Sequence, residues 1–581
     1  MIRKDINILN EINSILLFLK RIIFESQNHQ IMKKITFLFV IVLLIASCEE
    51  KAPTVIFKKY NETAELDAQQ KHSNKRMQLK LIQSKFLDMN DVFAPFKDDL
   101  ATFSEEDYND LKPMILERDI PTLQAHIGNG DLSYEKLTLF YLYRIRKFES
   151  DSTKSLNSII ALNPNVVKEA RQKDKEMGAN SEYSIYGMPI LLKDNINTND
   201  MPTTAGAIAL ANNKNTNDAF IVEKLRANGA IILGKANLSE WAYFFCSGCP
   251  VGYSAVGGQT LNPYGRKVFE TGGSSSGSGV TVAANYAVAA VGTETSGSIT
   301  SPSSQNSVVG LKPTIGLLSR TGIVPISSTL DTPGPMTKNV IDNAIFLQAM
   351  FGYDAKDDAS VDMDLSKKDF QNQLFVDNNL KGKRFGVLKS LLGNAIYKAT
   401  VEKMKAAGAE MIEISPKREA FKGFLTLLNV DMKHDLPIYL ANDADKNVKV
   451  TSVKDVTIFN LKEVDLRAPY GQQLFDGIVK DETTLEELEI IKEGLQTVGQ
   501  NFMQDLFDKE LDAILSINNY HSGVSAVAEY PNLTVPMGYK KNGEPISLTF
   551  IGTPFSEHKL LKLGYAFEQL TKARKTPENY K

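Results

Sequence analysis

The feature that most constrains this chain is a nine-residue run, Thr271 to Gly279, reading Thr-Gly-Gly-Ser-Ser-Ser-Gly-Ser-Gly and set between apolar segments. Four serines and four glycines in nine residues would suit a flexible linker. The flanks argue otherwise. Ser278 to Ala287 reads as a helix of small residues, and Val288-Ala289-Ala290-Val291 reads as a strand. A second Gly/Ser stretch follows, Gly292-Thr293-Glu294-Thr295-Ser296-Gly297-Ser298-Ile299. Glycines let backbone N–H groups come close to a ligand and admit φ angles that other residues avoid. Turns at strand ends are also where α/β sheets place their sites. The two stretches therefore read as site loops and not as a spacer.

The rest of the chain supports a sheet covered by helices. From Ser133 a helix is expected, with Leu137, Phe140, Tyr141, Ile145 and Phe148 on one face. Pro189-Ile190-Leu191-Leu192 reads as a buried strand ending at Lys193. Asp218 to Asn228 reads as a helix stopped by Gly229, and Ala230 to Leu233 as the next strand. From about Asp354 to Asp508 the chain is more charged and helical, with strand candidates at Arg384–Leu388 and Met411–Ile414. Leu511–Leu515 and Leu533–Pro536 read as late strands returning to the core. This alternation predicts an α/β fold, a mixed β-sheet core covered by helices in a single large domain.

With 581 residues, 43% hydrophobic and 23% charged, the chain is long enough for a large core and ordinary in class. A net charge of −3 gives no sign of bulk binding to nucleic acid. The N-terminus carries an address. Met32-Lys33-Lys34 leads into Ile35 to Ala46, twelve residues apolar apart from Thr36. That is too short to span a bilayer but suits the core of a signal peptide. Ser47 just before Cys48 resembles a bacterial lipobox, which implies cleavage before Cys48 and lipidation of its thiol. The expected organisation is therefore residues 1–31 upstream of the true start, 32–47 a lipoprotein signal peptide, 48–111 a tether and helical preface, and 112–578 the main domain. A lipid on Cys48 implies attachment to a bacterial cell envelope, periplasmic or surface-exposed. Cys246 and Cys249 are either a small disulfide or two free thiols, since no second pair completes a metal site.

Several ordered pieces together resemble the amidase signature family. They are Gly187-Met188-Pro189-Ile190-Leu191-Leu192-Lys193-Asp194-Asn195, the two Gly/Ser stretches, Gly234 to Trp241, Gly310-Leu311-Lys312-Pro313, Asp331 to Met336, Pro531 to Pro536 and Phe550-Ile551-Gly552. The wording is closest to the peptide amidase branch. The resemblance implies a Ser–Ser–Lys triad, with Lys193 as base, Ser274 as bridging serine and Ser298 as nucleophile, and with Ser275 beside them. Ser298 stands 24 residues after Ser274, the spacing expected in the family. It further implies a cis Gly273–Ser274 bond and an oxyanion hole from the N–H groups of Thr295, Ser296, Gly297 and Ser298.

The chemistry is coherent. A serine hydroxyl is a weak nucleophile and needs a base, and lysine can serve only when neutral. Desolvation at the end of an apolar strand favours that neutral form. The implied reaction is cleavage of a carboxamide C–N bond through an acyl-enzyme. The implied substrate is a small molecule or a peptide amide, especially an amidated peptide C-terminus, and no metal or cofactor is implied. An acyl amide or aryl acylamide is the alternative. Two positions depart from the family. Glu294 stands where many members have Asp, and Ser296 stands where they have Gly or, in the peptide amidase branch, often Asp.

Other readings exist. Gly273-Ser274-Ser275-Ser276-Gly277 fits G-x-S-x-G, which would make Ser275 a nucleophile served by His434, His521 or His558. Ser556-Glu557-His558-Lys559 fits S-x-x-K without its companion motifs. An inactive, membrane-tethered binding protein is the alternative of another class, against which the retention of Lys193, Ser274 and Ser298 together argues. A tRNA-dependent amidotransferase subunit shares the family but belongs in the cytosol, against the export signal.

Overall fold

The computed structural model describes residues 56–176, 181–363 and 374–581. Residues 1–31, the expected signal segment 32–47 and the lipid candidate Cys48 lie outside the described residues.

The strands in chain order are β1 Ile159–Leu162, β2 Pro189–Lys193, β3 Ile231–Ala236, β4 Tyr253–Ser254, β5 Gly258–Gln259, β6 Ala289–Glu294 and β7 Val309–Lys312. Then come β8 Thr332–Thr337, β9 Arg384–Leu388, β10 Glu410–Ile414, β11 Ala513–Ile517, β12 Asn532–Tyr539 and β13 Pro545–Ile551. Eleven of them form one sheet in the order β1-β3-β2-β6-β8-β7-β12-β13-β11-β9-β10, while β4 and β5 pair separately. β2 runs parallel to both neighbours, β3 and β6, whereas β8 is antiparallel to β6 and β7. The sheet is therefore mixed, as the alternation predicts.

Continuous apolar runs such as Pro189-Ile190-Leu191-Leu192 suit strands covered on both faces, and every residue of β2, β3 and β6 is buried. The exposed rim is different. β10 carries exposed Glu410 and Glu413 at the sheet edge, where charge discourages further pairing. The helix Tyr134–Glu149 starts at Ser133, whose side chain accepts from the Lys136 N–H at 3.1 Å. It buries the expected face, including Leu137, Phe140, Tyr141, Ile145 and Phe148.

β1, β4, β5, β7, β8 and β13 escaped the sequence reading, and two of them show why. β7 is only four residues long, and β8 contains Pro333 and Pro335, which argue against a central strand. The pairing shows how β8 tolerates them. β6 pairs along its whole length, but β7 pairs only at Val309–Thr337 and Gly310–Met336, beyond both prolines. The segment expected as a tether and preface is, from Ile56 on, packed into the body. Leu79, Ile82, Phe96 and Leu100 join the main core, and the Gln259 N–H donates to the Ile82 carbonyl at 2.9 Å.

Four helices, Phe424–Asn442, Val453–Leu461, Gln473–Lys480 and Leu485–Met503, build a second apolar cluster with Trp241, Phe244 and Phe245. Beside it Cys246 and Cys249 are joined as a disulfide, with Cα atoms 5.8 Å apart. Among the described residues no helix is long and apolar enough to cross a membrane.

The helix Ser276–Ala283 packs on β2, β3 and β6, and its small residues make that approach close. A Cβ on Gly277 would lie 2.3 Å from the Asn237 carbonyl oxygen and 2.5 Å from its nitrogen. Gly277→Ala is expected to destabilise the fold by about 1–3 kcal/mol, the usual cost of overpacking. Thermal unfolding checks this, and an unchanged midpoint would refute the close-packing account.

Candidate active site

Lys193 is the last residue of β2, and its side chain is fully buried. Its Nζ lies 2.8 Å from the Ser274 hydroxyl, 2.8 Å from the Thr293 hydroxyl and 3.1 Å from the Thr293 carbonyl. The Thr293 hydroxyl also accepts from Asn195 Nδ2 at 3.0 Å. Burial pushes the Lys193 pKa down to about 7, against the pull of the Asp331 and Glu294 carboxylates. Near neutral pH a large share of this amine carries a free lone pair.

Ser274 comes from the first Gly/Ser loop, ahead of the helix Ser276–Ala283. The Gly273–Ser274 peptide bond is cis, as the resemblance implied. The Ser274 carbonyl accepts the N–H groups of Ser239 at 3.0 Å and Ser276 at 2.8 Å. Gly272 has φ +63, and a Cβ there would sit 2.7 Å from the Pro302 nitrogen. Only glycine lets this loop lie against the first turn of the helix Thr300–Gln305.

Ser298 belongs to the second loop, between β6 and the helix Thr300–Gln305. Its carbonyl accepts the Ser275 N–H at 3.1 Å, which ties the two loops together. Its hydroxyl has no hydrogen-bond partner among the described residues. Contacts of this kind often close only with substrate bound. The loop is wrapped around Glu294. That carboxylate accepts the N–H groups of Gly297 at 2.7 Å, Ile299 at 2.8 Å and Thr300 at 2.9 Å, and the Thr300 hydroxyl at 2.9 Å. The Thr295 hydroxyl donates to Asp331, whose other oxygen accepts the Ile326 N–H at 2.8 Å and the Ser327 N–H at 2.9 Å. Burial pushes the Asp331 pKa up to about 6.

One of the four expected oxyanion donors is therefore already committed. The Gly297 N–H points at Glu294. The N–H groups of Thr295, Ser296 and Ser298 meet no acceptor among the described residues and remain available.

The competing motifs come apart. Ser275 is fully buried, and its hydroxyl is held between the Thr293 carbonyl at 3.1 Å and the Thr293 N–H at 3.2 Å. It braces the end of β6 at Thr293. His434 pairs with Asp435, and His521 with Ser516 at 2.7 Å. Burial and the Arg418 charge lower the His521 pKa to about 4. Lys559 forms an ion pair with Asp512 at 2.7 Å, away from Ser556, whose hydroxyl donates to the Thr553 carbonyl at 2.6 Å. Among the described residues no three His, Cys, Asp or Glu side chains gather as a metal would require.

Sequence reasoning quoted Thr293, Asn195, Glu294 and Asp331 inside motifs without assigning them work. Threonine and asparagine are common polar residues, and nothing in their spacing shows which amine or loop they will meet.

A family model described as Amidase matches residues 136–518. A probable amidase from Arabidopsis thaliana is 35% identical over 479 residues, covering 80% of this chain and 92% of that protein. An amidase family protein from Bacillus anthracis has a solved structure with TM-score 0.81 and 39% identity, covering 86% of this chain and 99% of that one. The native peptide amidase from Stenotrophomonas maltophilia superimposes with TM-score 0.75 at 37% identity, covering 80% and 99%. The chain belongs to the amidase family, in its amidase signature form. It is an amide-hydrolysing enzyme, which sets aside the inactive tethered binding protein.

Thr293→Val keeps the shape and removes the hydroxyl acceptor. The charged Lys193 then loses support, its pKa falls further, and the neutral form persists to lower pH. The acid limb of kcat/KM is expected to move below its wild-type position. kcat is expected to fall about tenfold or more, the scale of a charge-assisted hydrogen bond. A pH–rate profile that superimposes on wild type would refute this role.

Proposed function

We propose that the enzyme hydrolyses a primary carboxamide through an acyl-enzyme on Ser298, with Ser274 as proton relay and Lys193 as base. One observation carries this reading: a buried lysine whose pKa is about 7 lies 2.8 Å from the Ser274 hydroxyl. Neutral Lys193 takes the Ser274 proton as Ser274 takes the Ser298 proton. Ser298 Oγ attacks the carbonyl carbon, and the N–H groups of Thr295, Ser296 and Ser298 face the oxygen that becomes negative. One such donor contributes about 2.7–4 kcal/mol in comparable sites. The proton returns through Ser274 to the leaving nitrogen, the C–N bond breaks and ammonia departs. Water then attacks the ester along the same relay, releasing the carboxylic acid and free Ser298.

Likeness to the Stenotrophomonas peptide amidase supports C-terminally amidated peptides as substrates. A simple acyl amide or aryl acylamide is the second reading. It rests on Ser296, a half-buried residue of the nucleophile loop that departs from the acid frequent in that branch. We further infer, from Met32-Lys33-Lys34, the apolar run Ile35 to Ala46 and Ser47-Cys48, a lipid anchor on Cys48 and a place in a bacterial cell envelope. Labelled palmitate should enter the wild-type chain and not Cys48→Ser, and equal labelling would refute the anchor.

Ammonia release from a panel of amides tests the chemistry. Ser298→Ala and Lys193→Ala are expected to lose at least about a hundredfold in kcat, the scale of general-base catalysis. Ser275→Ala should retain turnover within about tenfold, since one neutral hydrogen bond is at stake. Turnover that survives Ser298→Ala would overturn the nucleophile assignment. In wild type, kcat/KM should rise with pH through about 7, because only the neutral lysine accepts a proton. A profile flat from acid to neutral pH would remove Lys193 as the base.

A further inference from the structure

β11 ends at Ile517 and is followed by Asn518-Asn519. These two neighbours are used differently. Asn518 adopts φ +45, and its side-chain oxygen accepts the Ser547 N–H at 2.8 Å, locking the strand end. Asn519 also has a fixed backbone, because its carbonyl accepts the Ser522 N–H at 3.1 Å and the Ser522 hydroxyl at 2.8 Å. Its carboxamide, however, has no hydrogen-bond partner among the described residues, although the residue is half-buried.

That carboxamide stands against the nucleophile loop. Asn519 Nδ2 lies 3.3 Å, and its Cβ 3.6 Å, from the point where Gly297 would carry a Cβ. Gly297 immediately precedes Ser298. The same wall continues through Gly523, whose Cβ position lies 3.1 Å from the Phe421 ring and 3.8 Å from the Ser296 hydroxyl. The Ser296 hydroxyl also has no hydrogen-bond partner among the described residues. A carboxamide and a hydroxyl without partners among the described residues, together with an aromatic ring, thus gather at Ser296 and Gly297, the two loop residues before Ser298. None of them belongs to the Lys193–Ser274–Thr293 cluster, toward which the leaving nitrogen must point to collect its proton.

We propose that the Asn519 carboxamide is a specificity group for the acyl half of the substrate, hydrogen-bonding a peptide group next to the scissile amide, with Ser296 beside it. A carboxamide offers both a donor and an acceptor, and so does a peptide group. The selected substrate class is then peptidyl amides over simple acyl amides. The inference deepens the proposed function and rests on Ser298 as nucleophile.

The test uses the detergent-solubilised full chain and two probes, an N-acetyl dipeptide amide and butyramide. Asn519→Ala is expected to lower kcat/KM for the dipeptide amide by about three- to tenfold, mainly through KM, as one neutral hydrogen bond would. For butyramide it should stay within twofold of wild type, about the scatter of a neutral change. Asn519→Leu keeps about the same volume and removes donor and acceptor without adding charge, and should show the same selective loss even where Asn519→Ala folds poorly. An equal loss on both probes overturns the proposal in favour of a structural role, and no loss on either also overturns it. A wild type that cleaves butyramide but no dipeptide amide overturns it too. Failure of the proposed function itself shows separately, as turnover of both probes by Ser298→Ala.

Discussion

The site depends on taking one amine out of water. Lys193 is fully buried at the end of a strand that lies between β3 and β6, and that burial is what depresses its pKa. Two other lysines, Lys235 and Lys312, are equally buried and are pushed down to about 8. Burial alone therefore does not make a base. Lys235 is held by the Thr203 hydroxyl at 2.8 Å and the Ile196 carbonyl, with Asp194 as the nearest opposing charge. Lys312 donates to the carbonyls of Pro313 and Tyr530, both at 2.9 Å. Carbonyls cannot pass on a proton, and the Thr203 hydroxyl beside Lys235 itself donates to the Ile196 carbonyl at 3.2 Å. Lys193 alone of the three meets a serine hydroxyl whose loop is tied to a second serine.

Carboxylates hold the polar side of the nucleophile loop, while Ile299 anchors it in the core. Four donors converge on Glu294, two of them the Ile299 and Thr300 N–H groups at the start of the helix Thr300–Gln305, where negative charge is favoured. Asp331 secures Thr295 from the other side while anchoring Ile326 and Ser327. Glu294 alone takes four of these donors. The carboxylate satisfies the loop from inside and consumes the Gly297 donor, while leaving its neighbours to face outward.

Much of the fold was legible because its strands are short apolar runs bounded by turn residues. β2, β9 and the helix after Ser133 fall where periodicity places them. β8 was not legible, because Pro333 and Pro335 deny a central strand until one sees where the β7 ladder stops. The packed course of residues 56–111 was hidden for a related reason. Its polar composition conceals a few residues such as Leu79 and Ile82 that reach the core of a distant segment.

By itself the sequence determined the family and its fold class, the order of the site loops and the identities of Lys193, Ser274 and Ser298 as the groups to watch. These are local patterns, each written in a few consecutive residues. Tertiary structure alone decided which groups those residues meet: Thr293 and Asn195 around the amine, Glu294 inside the loop, Ser275 as a brace, and Asn519 beside Gly297 from 222 positions further along the chain. The closure of Cys246 on Cys249 was decided there as well. The reason is physical. Hydrogen bonds and desolvation act over a few ångströms in space, and the sheet brings together strand ends that the chain keeps far apart.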